Sequence, residues 1–167
     1  MGTGQMLLTV GAIMLLGTII LTTNRSLYSS KTILMKTNFG LDAVSLATSV
    51  IEEAQGKAFD EATDTASVTS TTQLTPPGSL GQENGNTNDL NDFDDYNGLN
   101  NAGRTDTFKL STGIYCVKTR VCYVGGTNLD GISAQATFSK RLDVMVWNKE
   151  DSAGVIRMST IFSYWYF

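Results

Sequence analysis

The sequence predicts an α+β fold in which one long N-terminal α-helix packs its second half on a small antiparallel β-sheet. Three observations carry this reading. Residues 1–24 hold no charged side chain, and Met6 to Leu21 is almost wholly apolar. Residues 43–58 repeat apolar side chains at three- and four-residue spacing, the period of a one-sided helix. Much of residues 108–167 alternates apolar with polar, the period of a strand. The organisation that follows is a hydrophobic-to-amphipathic helix over residues 1–58, then a head over 59–167. The head divides into a polar loop at 63–107 and a C-terminal antiparallel sheet at 108–167.

The first element is Met6-Leu-Leu-Thr-Val-Gly-Ala-Ile-Met-Leu-Leu-Gly-Thr-Ile-Ile-Leu21. About 20 uncharged residues suffice to cross the hydrocarbon core of a bilayer as a helix. A secretory signal peptide would begin with a basic stretch and end at a small-residue cleavage site. Met1-Gly-Thr-Gly-Gln5 has no base, and Leu21-Thr-Thr-Asn-Arg25 is a poor cleavage site. A simple anchor fits the length, but Arg25, Lys31 and Lys36 all follow the span. By the positive-inside rule they would leave the head in the cytoplasm. A processed chain whose basic leader has been removed escapes that conflict.

Beyond the span, Ala43, Leu46, Ala47, Val50, Ile51, Ala54 and Ala58 form one apolar stripe, with Glu52 and Glu53 expected to face away. The small residues in it permit close approach to a sheet. From Thr63 to Thr107 the chain is rich in Thr, Ser, Asn, Asp and Gly, and Pro76-Pro77-Gly78 interrupts any regular element. Residues 61–107 carry eight acids against one base, Arg104, so the acidity of the chain is local to this tract. Within it, Asp92, Asp94, Asp95 and Asn97 place hard oxygens within six residues, the donor type that Ca²⁺ takes. Their spacing is not that of an EF-hand, and the same side chains could equally cap the turns of their own loop. Phe93 and Tyr96 would pin that loop to the sheet.

Three segments read as strands. In Thr112–Val124, Tyr115, Val117, Thr119, Val121 and Tyr123 share the face expected to meet the helix, and Cys116, Lys118, Arg120 and Cys122 share the other. In Ala136–Trp147, Leu142, Val144 and Val146 alternate with Asp143, Met145 and Trp147. Val155–Phe167 closes the chain, and short connections favour antiparallel pairing. On one straight strand the α-carbons of Cys116 and Cys122 lie about 20 Å apart. A disulfide needs them within about 7 Å, so a bridge between them would require a turn or bulge near Thr119. The aromatic end, Tyr164-Trp-Tyr-Phe167, suits either core packing or a subunit contact.

Several functional classes are disfavoured. There is no histidine, which excludes the triads and zinc hydrolases that need one. No Gly-rich phosphate loop follows a strand, and no basic stripe offers itself to nucleic acid. The chain reads as a non-enzyme, without a cofactor other than the candidate calcium.

The N-terminal span, then Ala43-Val-Ser-Leu-Ala-Thr-Ser-Val-Ile-Glu-Glu-Ala54 and Gly56-Lys-Ala-Phe-Asp60, the acidic loop Asp92-Phe-Asp-Asp-Tyr-Asn-Gly98, and Lys140-Arg-Leu-Asp-Val-Met-Val-Trp147 with Gly154-Val-Ile-Arg-Met-Ser-Thr-Ile161 follow in an order that resembles type IV pilins and pseudopilins. The resemblance covers roughly two-thirds of the chain and implies a pilin-like fold. It implies that Met1 is the residue exposed by leader cleavage and then methylated on its amine. It further implies a structural subunit of an extracellular filament at the cell surface, held in the inner membrane before assembly. Met1, Gln5, Leu7, Gly11, Leu15, Leu16 and Ile19 would be the assembly residues. The partners would be copies of the chain and the pilus assembly machinery. The alternatives are a minor pseudopilin of a type II secretion or DNA-uptake machine, and a membrane-anchored binding ectodomain. Two departures stand out: Gln5 occupies the place where the family usually has glutamate, and Thr22-Thr23 stand where it often has a proline.

Overall fold

With no proline before Pro76, and with Leu, Met and Ala outnumbering the scattered glycines, the first element can propagate for many turns. The computed structural model, which describes residues 2–82, 90–98, 103–125, 129–150 and 154–165, has helix α1 over Thr3–Gln55. A short helix α2, Glu61–Thr65, follows. Four strands then form one antiparallel sheet in chain order: β1 Arg104–Leu110, β2 Gly113–Tyr123, β3 Ser139–Asn148 and β4 Val155–Ser163. The architecture is α+β, as expected. By contacts the chain divides into two compact units, residues 1–39 and 40–167.

In the second unit, the end of α1 lies against the sheet through its smallest residues. Ala43, Ala47 and Ala54 are fully buried, while Leu46, Val50 and Ile51 are half-buried. Polar contacts fasten the same stretch. The Tyr115 hydroxyl donates to Asp42 Oδ2 at 3.0 Å, and Gln55 Nε2 donates to Thr160 Oγ1 at 2.8 Å.

The sheet's inner face follows the alternation. Tyr115, Val117, Thr119, Val121 and Tyr123 of β2 are buried, as are Lys140, Leu142, Val144 and Val146 of β3. The register sets Val117 opposite Val146, Val121 opposite Leu142, and Tyr123 opposite Lys140. Beside the strands, Phe59, Val68, Leu74, Leu80 and Tyr123 form a cluster into which Phe162 and Tyr164 pack. Tyr164 thus belongs to the core, and its hydroxyl accepts from Val68 N at 3.1 Å. Trp165 is exposed.

The tract read as a loop over 63–107 differs in two respects. Among its described residues it contains the end of α2 and three short 3₁₀ turns, Thr71–Gln73, Pro77–Ser79 and Asp94–Asn97. Its last residues, from Arg104, are already strand β1, paired with β2 from Arg104–Thr119 to Leu110–Gly113. The sheet therefore begins before residue 108 and has four strands instead of three. Arg104-Thr-Asp-Thr carries no apolar residue, so its strand character lies in backbone pairing at a sheet edge, where polar side chains are tolerated.

The alanine seam generates a test. Ala47→Leu inserts three carbons where no space remains, and overpacking of this kind costs about 1–3 kcal/mol. The thermal midpoint of the full chain in detergent is expected to fall, whereas Ser45→Leu, on an exposed position, is expected to leave it nearly unchanged.

Candidate functional site

Two sets of residues carry the candidate chemistry: the apolar segment of the first unit, and the acidic loop of the second. The first is apolar on every side. At 100° per residue, Met6, Leu7, Leu8, Val10, Ile13, Met14, Leu15, Leu16, Ile19, Ile20 and Leu21 distribute around the whole helix circumference. All eleven are exposed in the single chain. Burying such a side chain is worth roughly 1.5–3 kcal/mol. Summed over eleven, that exceeds the ~5–15 kcal/mol that stabilises a typical domain. A helix apolar all round calls for an apolar environment on all sides. By length and composition α1 can cross a membrane.

The polar groups of this segment are arranged to suit such an environment. Thr9 Oγ1 donates to Met6 O at 2.9 Å, Thr18 Oγ1 to Leu15 O at 2.8 Å, Thr22 Oγ1 to Ile19 O at 2.9 Å and Thr23 Oγ1 to Ile19 O at 2.8 Å. Hydroxyls satisfied within their own helix can enter hydrocarbon at little cost. Of the expected assembly residues, Leu7, Leu15, Leu16 and Ile19 are exposed. Gly11 has no atom within 4 Å of where a Cβ would stand. Gln5 lies in the first turn, its N–H donating to Gly2 O at 2.9 Å. Met1 lies outside the described residues.

The acidic loop is buried, not solvated. Asp92, Asp94, Asp95 and Asn97 are each no more than 1% exposed. The chain gathers them by Asx-type bonds: Asp92 Oδ1 accepts from Asp94 N and Asp95 N at 3.0 and 3.1 Å, and Asp95 Oδ2 accepts from Asn91 N at 2.8 Å. Asn97 staples the loop to its neighbours, with Nδ2 donating to Leu80 O at 3.2 Å and Oδ1 accepting from Val121 N at 3.0 Å. Gly98 ends the turn at φ 69°, where a Cβ would stand 2.8 Å from Gly103 O. Phe93 and Tyr96 are buried too, and the Phe93 ring lies 5.2 Å from that of Phe162. Pinning by these aromatics is what the sequence led us to expect.

What the sequence did not reveal is the cation these acids face. Lys140 of β3 is fully buried, and its Nζ donates to Phe59 O at 2.7 Å, to Asp60 Oδ2 at 2.8 Å and to Asp94 Oδ1. The signal was present in the alternation: Lys140 shares the parity of Leu142, Val144 and Val146. Asp60, the N-cap of α2, also accepts from Ala62 N, from Thr75 N and Oγ1, and from the Tyr123 hydroxyl. The protonation states divide accordingly. Burial works against ionising Asp60, but the charge and hydrogen bond of Lys140, with the N–H groups of Thr75 and Ala62, outweigh it and hold its carboxyl below the usual range. For Asp94, burial prevails over Lys140 and lifts the carboxyl. Burial and the neighbouring Asp94 raise Asp92 to about 8, and its buried Oδ2 has no hydrogen-bond partner.

Among the described residues, no group of three or more Cys, Asp or Glu side chains is placed to hold a metal ion. Of the candidate calcium ligands, Asp94 meets Lys140, Asp92 and Asp95 accept from backbone N–H groups, and Asn97 bonds to Leu80 O and Val121 N. Cys116 and Cys122 are both free and buried on β2, whose pairing with β3 runs unbroken between them. Burial pushes the Cys122 thiol up. A groove of about 300 Å³, lined by Val50, Glu53, Tyr96, Arg104, Phe108 and Val117 among others, lies beside β1. Its charged pair, Arg104 Nε and Asp106 Oδ2 at 2.5 Å, is internally matched. Comparisons of the chain with protein-family models, with curated proteins and with solved structures gave no match.

Two tests follow from the acidic loop. The folded chain holds a proton on Asp92 up to about pH 8, whereas an unfolded aspartate releases it near pH 4. The folded state thus binds more protons across that window, so this group's contribution falls as pH rises from about 4 to about 8. Asp92→Asn is expected to lose less thermal stability than the native chain between pH 5 and pH 8. Separately, millimolar calcium is expected to leave the melting temperature unchanged, because Lys140 already occupies the cation's place. A rise would show that the ion binds the native state.

Proposed function

We propose that this protein is a structural subunit of an extracellular type IV pilus-like filament. Before assembly, residues 6–22 hold it in the inner membrane. On assembly, the same residues exchange lipid for the equivalent helices of other copies. The observation that carries this reading is the segment of residues 6–22, apolar around its whole circumference and satisfied in its own threonine hydroxyls. A one-sided stripe would suit packing on a single partner; an all-round apolar surface suits either lipid or a bundle of copies. Gly11, Ala12 and Gly17 favour the bundle, because small residues let helix backbones approach closely and gain van der Waals contact. Gln5 could bond to a neighbouring subunit but could not neutralise its terminal amine, so the end of the helix would be held by hydrogen bonds and packing more than by charge.

Gly11→Leu separates filament from anchor. It keeps the segment apolar, meets no atom of its own chain within 4 Å at the Cβ, and fills the space a neighbouring helix would use. It is expected to leave membrane retention and the melting of the second unit unchanged while abolishing filaments in electron micrographs. A charge at Leu15, as in Leu15→Asp, is expected to abolish them as well. Filaments of normal number from both variants would refute the reading.

A further inference from the structure

The environment of Lys140 is unusual for a structural ion pair. Lys140, Asp60 and Asp94 are all fully buried, and the ammonium lies 4.6 Å from the centre of the Phe59 ring and 5.3 Å from that of Tyr123. Its three donors go to Phe59 O, Asp60 Oδ2 and Asp94 Oδ1. The two carboxylates differ in their other partners. Asp60 accepts three further hydrogen bonds, from Ala62 N and both donors of Thr75, and the Tyr123 hydroxyl, shared with Thr75 O, lies 3.3 Å from its Oδ2. That set stabilises an anion. Among the described residues the Asp94 carboxyl has, besides Lys140, one long bond at Oδ2 from Gly81 N at 3.4 Å. An amine thus sits between a carboxylate held ionised 2.8 Å away and a carboxyl group with little to hold it ionised, in a pocket closed to bulk water.

We propose that Lys140 and Asp94 condense into an intramolecular amide cross-link, with Asp60 transferring the protons. The chemistry balances without any co-reactant. The Lys140 ammonium passes one proton to the Asp60 carboxylate, which frees the nitrogen lone pair. Nζ then attacks Cγ of Asp94 in its neutral acid form, and the C–N bond forms. The hydroxyl on Cγ leaves as water, taking a proton from Asp60, and Asp60 recovers one from the nitrogen. An ammonium, a carboxylate and a carboxylic acid become a secondary amide, a neutral Asp60 and one water molecule. Burial favours each change, since it removes a charged pair from a low-dielectric site, where such pairs are costly. The exclusion of water disfavours hydrolysis of the product. The raised Asp94 carboxyl agrees with its part as the neutral acid, and the lowered Asp60 carboxyl keeps an anion beside the ammonium. The bond would join β3 to the acidic loop across 46 residues of chain, and a covalent closure of that length constrains the unfolded state much as a disulfide does.

Mass spectrometry of the full chain, purified in detergent and then denatured, tests the proposal. The expected mass is that of the sequence less one water. Trypsin should yield a branched species in which residues 58–104, the peptide holding both Asp60 and Asp94, is joined to residues 121–141 with the Lys140–Arg141 bond uncut. Fragment ions should place the branch on Asp94. The full sequence mass with a free 121–140 peptide would overturn the cross-link. A branch on Asp60 would overturn the division of roles. A succinimide at Asp130-Gly131 also loses one water but leaves no branched peptide, and that pattern counts against the proposal. Asp60→Asn is expected to fold, by circular dichroism, and to keep its full mass; a folded variant that still lost water would remove Asp60 from the reaction.

Discussion

The ammonium of Lys140 is the constraint on which the second unit is organised. A lysine has three donors and no acceptor, and in an apolar interior all three must be met. Here they reach two separate stretches of chain: residues 59 and 60 just after α1, through the Phe59 carbonyl and the carboxylate that caps α2, and the acid that opens the last 3₁₀ turn. Because Lys140 stands on β3 opposite Tyr123 of β2, those stretches are drawn to the sheet at one point. The Tyr123 hydroxyl reinforces it by donating to Thr75 O at 2.8 Å. A long polar tract that buries few apolar side chains thereby acquires a defined path. Removing only one partner of such a cluster would leave an uncompensated charge, which is why the group acts as a whole.

The first unit follows a different logic. Its leading segment, before Arg25, has no buried core of its own and no charged side chain. Its internal economy is that of a segment meant for an apolar medium: backbone bonds within the helix, threonine hydroxyls folded onto preceding carbonyls, and large side chains on every side. The second unit is built instead for water, with buried strands, an exposed polar surface and charges paired where they are enclosed. The uncharged segment before Arg25 and the second unit obey different solvents, and the unit boundary near residues 39 and 40 coincides with the place where helix burial begins.

Much of this was legible before any coordinates. The long helix, the alanine seam and the inner face of β2 follow from period alone, because 3.6- and 2-residue repeats leave a mark that a few polar exceptions do not erase. β1 was not legible from Arg104 to Thr107. An edge strand is held by main-chain bonds to its single neighbour, and side chains such as Thr105 and Thr107 report nothing about that. The acidic loop was found, but read as either solvated or calcium-binding. Its burial depends on Lys140, which is 43 residues past Asn97 in the chain, and no local pattern links the two.

By itself, the sequence determined what depends on near neighbours: where the chain is helical, where it alternates, and which segment cannot rest in water. The tertiary structure alone decided which charges meet. Strand parity places Lys140 on the inner face, but nothing local to Asp60 or Asp94 marks them as its partners. The antiparallel register of β2 and β3 sets Lys140 beside Tyr123 and turns it inward, and the turn at Asp94–Asn97 brings its acids to meet it. Coulombic pairing acts through space, while sequence pattern reports only along the chain, so the cluster that organises the head became visible only when the strands were paired.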